Sequence, residues 1–259
     1  MTTVTQHAPG TFCWPELATP DPQGAKKFYT SLFGWVTEDN DMGDGTSYTM
    51  IKHNGQAVGA LYPQPKEQAS KGTPPHWGSY VAVDNADDAA TRAQTLGGKI
   101  LMEAFDVQDV GRMAVIMDPQ GAVFSVWQGK KHIGAGVLDE VGALCWTELM
   151  TTDTKGAEKF YTGLFPWKGQ PMPMASGQTY TLFKRGEANA GGMMQMTKEM
   201  GAIPPHWSVY FQVADCDASV AKATSLGAKV IVPATDIPNV GRFAILLDPQ
   251  QATFAILKI

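Results

Sequence analysis

Over residues 12–17 the chain alternates, with Phe12, Trp14 and Glu16 on one side and Cys13, Pro15 and Leu17 on the other, which predicts a strand. The period then changes. Asp21 followed by Pro22 supplies a helix N-cap with proline at the first helical position, and Ala25, Phe28, Tyr29, Leu32 and Phe33 recur at helical spacing until Gly34. An amphipathic helix laid on a sheet is expected. Short strand-like runs follow at 35–38, 47–52 and 56–61, the last two flanking Asn54-Gly55, a strong hairpin signal. The same order begins again at 77–83. Ala86, Ala89, Ala90, Ala93 and Leu96 make the apolar stripe of a helix closed by Gly97, and strands are predicted at 100–105, 112–117 and 123–127. Two βαβββ modules therefore stand in series.

The whole pattern is then written a second time. CWPELATPDPQGAKKFYTSLFGW from Cys13 returns as CWTELMTTDTKGAEKFYTGLFPW from Cys145, and GRMAVIMDPQGAVFSVW from Gly111 returns as GRFAILLDPQQATFAIL from Gly241. This is a tandem duplication. The expected organisation is a loose tail at 1–10, domains at 11–128 and 143–259, and a glycine-rich linker at 129–142, each half being long enough for a core of its own. The halves diverge between their modules, where the second has Met193, Met194 and Met196, residues that either fill core gaps or line an apolar ligand cavity.

Composition narrows the function classes. A net charge of -5 without any Lys/Arg run gives no footing for a phosphate backbone or an anionic membrane, so neither nucleic acid nor membrane is an expected partner. No apolar run is long enough to span a bilayer, and the first residues lack the basic start and apolar core of a signal peptide, so a cytoplasmic location is expected. The three cysteines are odd in number, and Cys13 and Cys145 occupy equivalent strand positions, which predicts buried reduced thiols.

Four βαβββ modules, with F-Y-x-x-L-F-G/P-W in the first helix of each half and D-P-Q-G/Q before its last strand, resemble the vicinal oxygen chelate superfamily. Its members include glyoxalase I, the bleomycin-resistance proteins and the extradiol dioxygenases. The resemblance is nearest to two-domain glyoxalase-related proteins of the actinobacterial culture-filtrate antigen type, often labelled hydroxylases, and it covers nearly the whole chain. It implies an α+β fold of two glyoxalase-like domains, each of two paired βαβββ modules forming a curved sheet around a cleft. In metal-dependent members, His or Glu side chains of facing strands hold a divalent metal in that cleft. Aligned residue by residue, the ligand positions carry Trp14, Gly78 and Ser125 in the first half and Trp146, Ser208 and Ala255 in the second. The standard divalent-metal site is thus expected to be absent, and the cofactor is left unknown.

Near the lost ligands, Glu16 and Glu148 lie two residues further along the first strand, and His76 and His206 two residues earlier on the second module's opening strand. If those strands run antiparallel across the cleft, Glu16 is expected to face His76 and Glu148 to face His206. Such a pair is an acid and base, two metal ligands, or a buried hydrogen-bonded pair; alternatively, each His caps the turn of its Pro-Pro-His-Trp entry. Trp14 and Trp146 either wall a flat ligand or fill core, and Tyr80 and Tyr210 either reach that ligand or satisfy a core polar group. Arg112 and Arg242 either clamp an anionic or carbonyl-bearing ligand or tie to Asp106 and Asp236, and Met194 is a candidate pocket residue. The implied function is binding of a small carbonyl or aromatic ligand by a monomer or homodimer, with lyase or hydroxylase chemistry lacking the usual metal ligands. The alternative is a non-catalytic binding or sequestering protein.

Overall fold

The computed structural model describes residues 4–43, 45–174, 177–201 and 203–259. The first half runs β1 (Phe12–Thr19), α1 (Pro22–Phe33), β2 (Val36–Asp41), β3 (Ser47–His53), β4 (Gln56–Pro63), a short α2 (Lys66–Ser70), β5 (His76–Ala82), α3 (Ala86–Thr95), β6 (Lys99–Val107), β7 (Gly111–Met117) and β8 (Val123–Gly129). The second runs β9 (Leu144–Thr151), α4 (Thr154–Leu164), β10 (Lys168–Pro173), β11 (Thr179–Arg185), β12 (Ala188–Gln195), β13 (His206–Gln212), α5 (Cys216–Ser225), β14 (Lys229–Ile237), β15 (Gly241–Leu247) and β16 (Thr253–Lys258). The local signals act as anticipated. The Asp21 carboxylate accepts the Gly24 N–H at 2.9 Å, and Asn54 and Gly55 both adopt the positive φ of a tight hairpin turn.

Each half forms one eight-stranded mixed sheet, in the orders β2-β3-β4-β1-β5-β8-β7-β6 and β10-β11-β12-β9-β13-β16-β15-β14. The two modules of a half thus meet at their opening strands, β1 against β5 and β9 against β13, both antiparallel. Every residue of β1 is buried, because the strand has covered surfaces on both sides.

One face of each sheet contributes to a single shared core, not to two separate ones. Phe28 and Tyr29 of α1 lie against Phe254 of the second half, with ring centroids 6.0 and 5.4 Å apart, and Phe160 and Tyr161 of α4 lie against Phe124 of the first at 6.3 and 5.5 Å. Each half's first helix therefore lies between its own sheet and the other half's, with Tyr29 also against Trp77 at 5.3 Å and Tyr161 against Trp207 at 5.2 Å. Polar locks accompany the packing. Trp77 donates to the Tyr29 hydroxyl at 2.9 Å, and that hydroxyl donates to Asp248 of the other half at 2.8 Å. Trp207, Tyr161 and Asp118 repeat the chain at 2.8 and 3.0 Å. The aspartates are those of the two D-P-Q turns. Burial raises the pKa of both carboxyls above the usual range, with backbone N–H donors from the turn opposing the shift.

Three local expectations need correction. A register shift in β1 between Phe12 and Trp14 turns Phe12 to the shared core, with Leu17, while Trp14 stays with Glu16 on the opposite face. Residues 4–10 are not a loose tail: Val4 N–H donates to Gly136, Gly10 N–H to Ala82, and Trp167 donates to Gly10, all at 2.8 Å. The glycine-rich stretch after β8 also lies tightly on the first sheet, its Ala135 and Gly136 N–H groups donating to Cys13 at 2.7 Å and Ala57 at 2.8 Å. Cys13, Cys145 and Cys216 are buried and unpaired. No helix among the described residues is long and apolar enough to cross a membrane.

Candidate functional site

The face of each sheet turned away from the shared core carries the candidate chemistry. On β1, strand alternation places Trp14 and Glu16 there, and the register sets them opposite Tyr80 and Gly78 of β5. Glu16 also pairs with Ala60 of β4, next to Tyr62, while β3 adds Tyr48 and Met50. Gly78 matters for space: a Cβ there would approach nothing closer than the Glu16 carbonyl oxygen at 3.7 Å, so the strand leaves room beside the carboxylate.

Glu16 is only 8% exposed. Burial pushes its carboxyl up to about 7, against the opposing contacts of the Tyr80 and Tyr48 hydroxyls. Burial and the nearby Glu16 charge raise the pKa of Tyr48, Tyr62 and Tyr80, so all three stay protonated and remain donors. Trp14 donates to the Tyr48 hydroxyl at 3.2 Å and fixes it. The second half repeats the constellation. Tyr210 donates to Glu148 Oε1 at 3.0 Å and Trp146 donates to the Tyr180 hydroxyl at 2.9 Å. Burial raises the Glu148 carboxyl, opposed by Tyr180 and Tyr210.

Of the predicted site residues, Glu16 with Trp14 and Tyr80, and Glu148 with Trp146 and Tyr210, are brought together. Met194 joins the second set as the register partner of Tyr180, whereas Met193 points the other way into the core. The histidines do not join. His76 stands opposite Ala18 and His206 opposite Met150, two residues past the carboxylates, and no ion pair links them to Glu16 or Glu148 among the described residues. Each instead donates Nδ1–H to the proline carbonyl two residues earlier, His76 to Pro74 at 2.9 Å and His206 to Pro204 at 2.8 Å, capping the turn. The arginines lie on the sheet face shared with Ala114 and Ala244, away from the carboxylates. Arg112 holds Asp87 through two bonds of 2.7 and 2.8 Å and reaches Asp106 at 3.5 Å, and Arg242 holds Asp217 at 2.8 and 2.9 Å and Asp236 at 3.0 Å. Their donors are spent on fastening helix to strand.

Sequence reasoning missed Tyr48, Tyr180, Tyr62 and His132. The first two had a signal, because Ser47-Tyr48-Thr49-Met50 recurs as Thr179-Tyr180-Thr181-Leu182. The imidazole of His132 meets Trp14 edge-on at 4.6 Å, and its carbonyl accepts from Trp127 at 2.8 Å, so the chain after β8 covers the Trp14 end of the first face. His7 adds a bond of 2.8 Å to the Ala135 carbonyl. A separate cavity of about 940 Å³ lies between the halves, rimmed by Asp84, Arg92, Lys168 and Arg185. No buried carboxylate lines it, and the chemistry points to the Glu16 and Glu148 faces.

Residues 11–126 match the family described as the Glyoxalase/Bleomycin resistance protein/Dioxygenase superfamily. The chain is 45% identical over 254 residues to a protein of Mycobacterium tuberculosis named "Putative glyoxylase CFP32", covering 98% of this chain and 96% of that one. It is 36% identical over 267 residues to the "Anthracycline biosynthesis protein DnrV" of Streptomyces peucetius, covering 99% and 96%. The fold is similar to that of a crystallised Mn(II)-bound glyoxalase from Novosphingobium aromaticivorans, with a TM-score of 0.68, 13% identity, and 96% and 82% of the two chains covered.

Proposed function

The chain belongs to the glyoxalase/bleomycin resistance protein/dioxygenase superfamily, and from that premise we propose that it binds a small carbonyl-bearing or aromatic compound against its buried glutamate and tyrosines and transfers a proton on it. The observation that carries this is the Glu16 carboxyl, held near neutrality at about 7 beside tyrosine hydroxyls that remain donors. A base whose pKa lies near the working pH is the most effective one. Glu16 takes a proton from the carbon next to a carbonyl; the C–H electron pair becomes a C=C bond and the carbonyl π pair moves to oxygen, giving an enolate. Tyr80 and Tyr48 donate to that oxygen, and the proton returns from Glu16 to carbon, so no co-reactant is consumed. Two relatives named for anthracycline biosynthesis, a flat aromatic ketone class, support an aromatic ligand.

The residues do not fit the divalent metal of metal-dependent relatives. Each face offers one carboxylate, and the positions equivalent to the family's ligands are Trp14, Gly78 and Ser125 or Trp146, Ser208 and Ala255. Among the described residues no group of three or more His, Cys, Asp or Glu side chains is arranged to hold a metal ion. No step is therefore routed through one.

Sequestration without turnover is the second reading, favoured by the aromatic wall of Trp14, Trp127 and His132. Both are tested by following binding of the hemithioacetal of methylglyoxal and of 1,2-dihydroxyanthraquinone by tryptophan fluorescence, and by following carbon-bound hydrogen exchange of the hemithioacetal with D₂O by NMR, since only that probe has a hydrogen on the carbon next to its carbonyl. Exchange that slows at least about 100-fold in the Glu16→Gln/Glu148→Gln double variant is the expected result. Binding without exchange selects sequestration, and no binding of either probe overturns both.

A further inference from the structure

The duplicated constellations differ in the residues that surround the carboxylates. In the first half Tyr62 sits on the Glu16 face, its ring 22° from parallel to that of Tyr48 with centroids 6.4 Å apart, and its register partner on β1 is Ala18, two residues past Glu16. The equivalent place in the second half is Met194. Three hydroxyls therefore attend Glu16 and two attend Glu148. Space differs too. Gly78 leaves room beside Glu16, whereas Ser208 puts a side chain opposite Glu148, and Phe243 sets its ring 6.4 Å from Tyr210 where the first half has Met113. The remaining lining of the second face is apolar, with Ile245 and Leu257 packed against Cys145, Tyr210 and Ala255.

We infer that the two halves have divided their roles: the first-half face alone takes the oxygen-bearing ligand, and Tyr62 is the specificity-determining residue that distinguishes it from its Met194 counterpart. A third donor next to a carboxylate matches a ligand presenting hydroxyl or keto oxygens, since each buried oxygen must find a partner. Both carboxylates already meet two tyrosine hydroxyls of their own half, so the difference lies in the third place, where Tyr62 offers a donor and Met194 offers none. The chain after β8 adds to the asymmetry by closing the first face along Trp14 with His132.

This division rests on the function proposed above, and the experiment separates the two. Calorimetric titration with 1,2-dihydroxyanthraquinone is run on the full chain and on the Tyr62→Phe, Glu16→Gln and Glu148→Gln variants, each checked by its melting temperature. One ligand per chain is expected, with affinity falling about tenfold in Tyr62→Phe, a loss typical of one buried hydrogen bond. Glu148→Gln is expected to bind like the parent, and Met194→Tyr in the Tyr62→Phe background does not restore the lost affinity. Two equal sites per chain, or equal losses in Glu16→Gln and Glu148→Gln, overturn the division while leaving the proposed function standing. Binding unchanged in both glutamate variants overturns the proposed function itself.

Discussion

Glu16 shows how one residue links stability to chemistry. Its carboxyl is raised from 4.5 to about 7, first by burial, against the Tyr80 and Tyr48 hydroxyls. The folded chain therefore holds a proton that the unfolded chain loses above pH 4.5, and stability attributable to this group falls as pH rises from about 4.5 to 7 and is flat beyond. A shift of this size corresponds to about 3 kcal/mol at neutral pH. Glu16→Gln removes the titration, so the variant is expected to lose less stability than the parent between pH 4.5 and 7 in chemical denaturation. Parallel stability profiles for the two proteins sink the assignment. The histidines teach the opposite lesson: His76 and His206 recur in both halves, yet their Nδ1 groups are occupied by Pro74 and Pro204, a turn-capping role that repeats with the sequence.

Among the elements, β12 is constrained by what it must pass. A Cβ on Gly192 would lie 1.8 Å from the Tyr180 hydroxyl, the group that accepts from Trp146 at 2.9 Å. Gly192→Ala must push that ring away, and is expected to cost about 1–3 kcal/mol. Denaturant titration measures the loss, and altered Trp146 fluorescence reports the broken bond. The first half carries Ala60 at the equivalent place, and its Trp14–Tyr48 bond is longer, at 3.2 Å. The bulge in β1 is a second element-scale device, since it lets Phe12 fill the shared core while Trp14 walls the candidate site.

For the whole molecule, the aromatic core shared between the halves predicts cooperativity. Because α1 packs on Phe254 and α4 on Phe124, neither half keeps its core without the other. Calorimetric unfolding is expected to show one transition, and two resolved transitions would contradict a shared core. Tyr29→Phe leaves the buried Asp248 oxygen and the Trp77 N–H short of a partner across the interface, at an expected cost of about 2–3 kcal/mol. The equivalent Tyr161→Phe change is expected to cost a similar amount at Asp118, measured by shifts in the unfolding midpoint.

Strand and helix periods, the Asp21 cap, the Asn54-Gly55 turn and the duplication were legible in the sequence, because they depend on neighbours a few residues apart or on the repeat itself. They determined the α+β modules, and strand parity placed Glu16 with Trp14 and Glu148 with Trp146. Partners across strands were not legible. Antiparallel pairing alone does not set register, and a shift of two residues separates Glu16, opposite Gly78, from His76, opposite Ala18. Tertiary structure alone decided that tyrosines from β3 and β5 attend Glu16 and those from β11 and β13 attend Glu148, that Arg112 and Arg242 are consumed by aspartates, and that the glycine-rich connection closes over Trp14. All three join residues far apart in sequence, where packing and desolvation, not local propensity, select the partner.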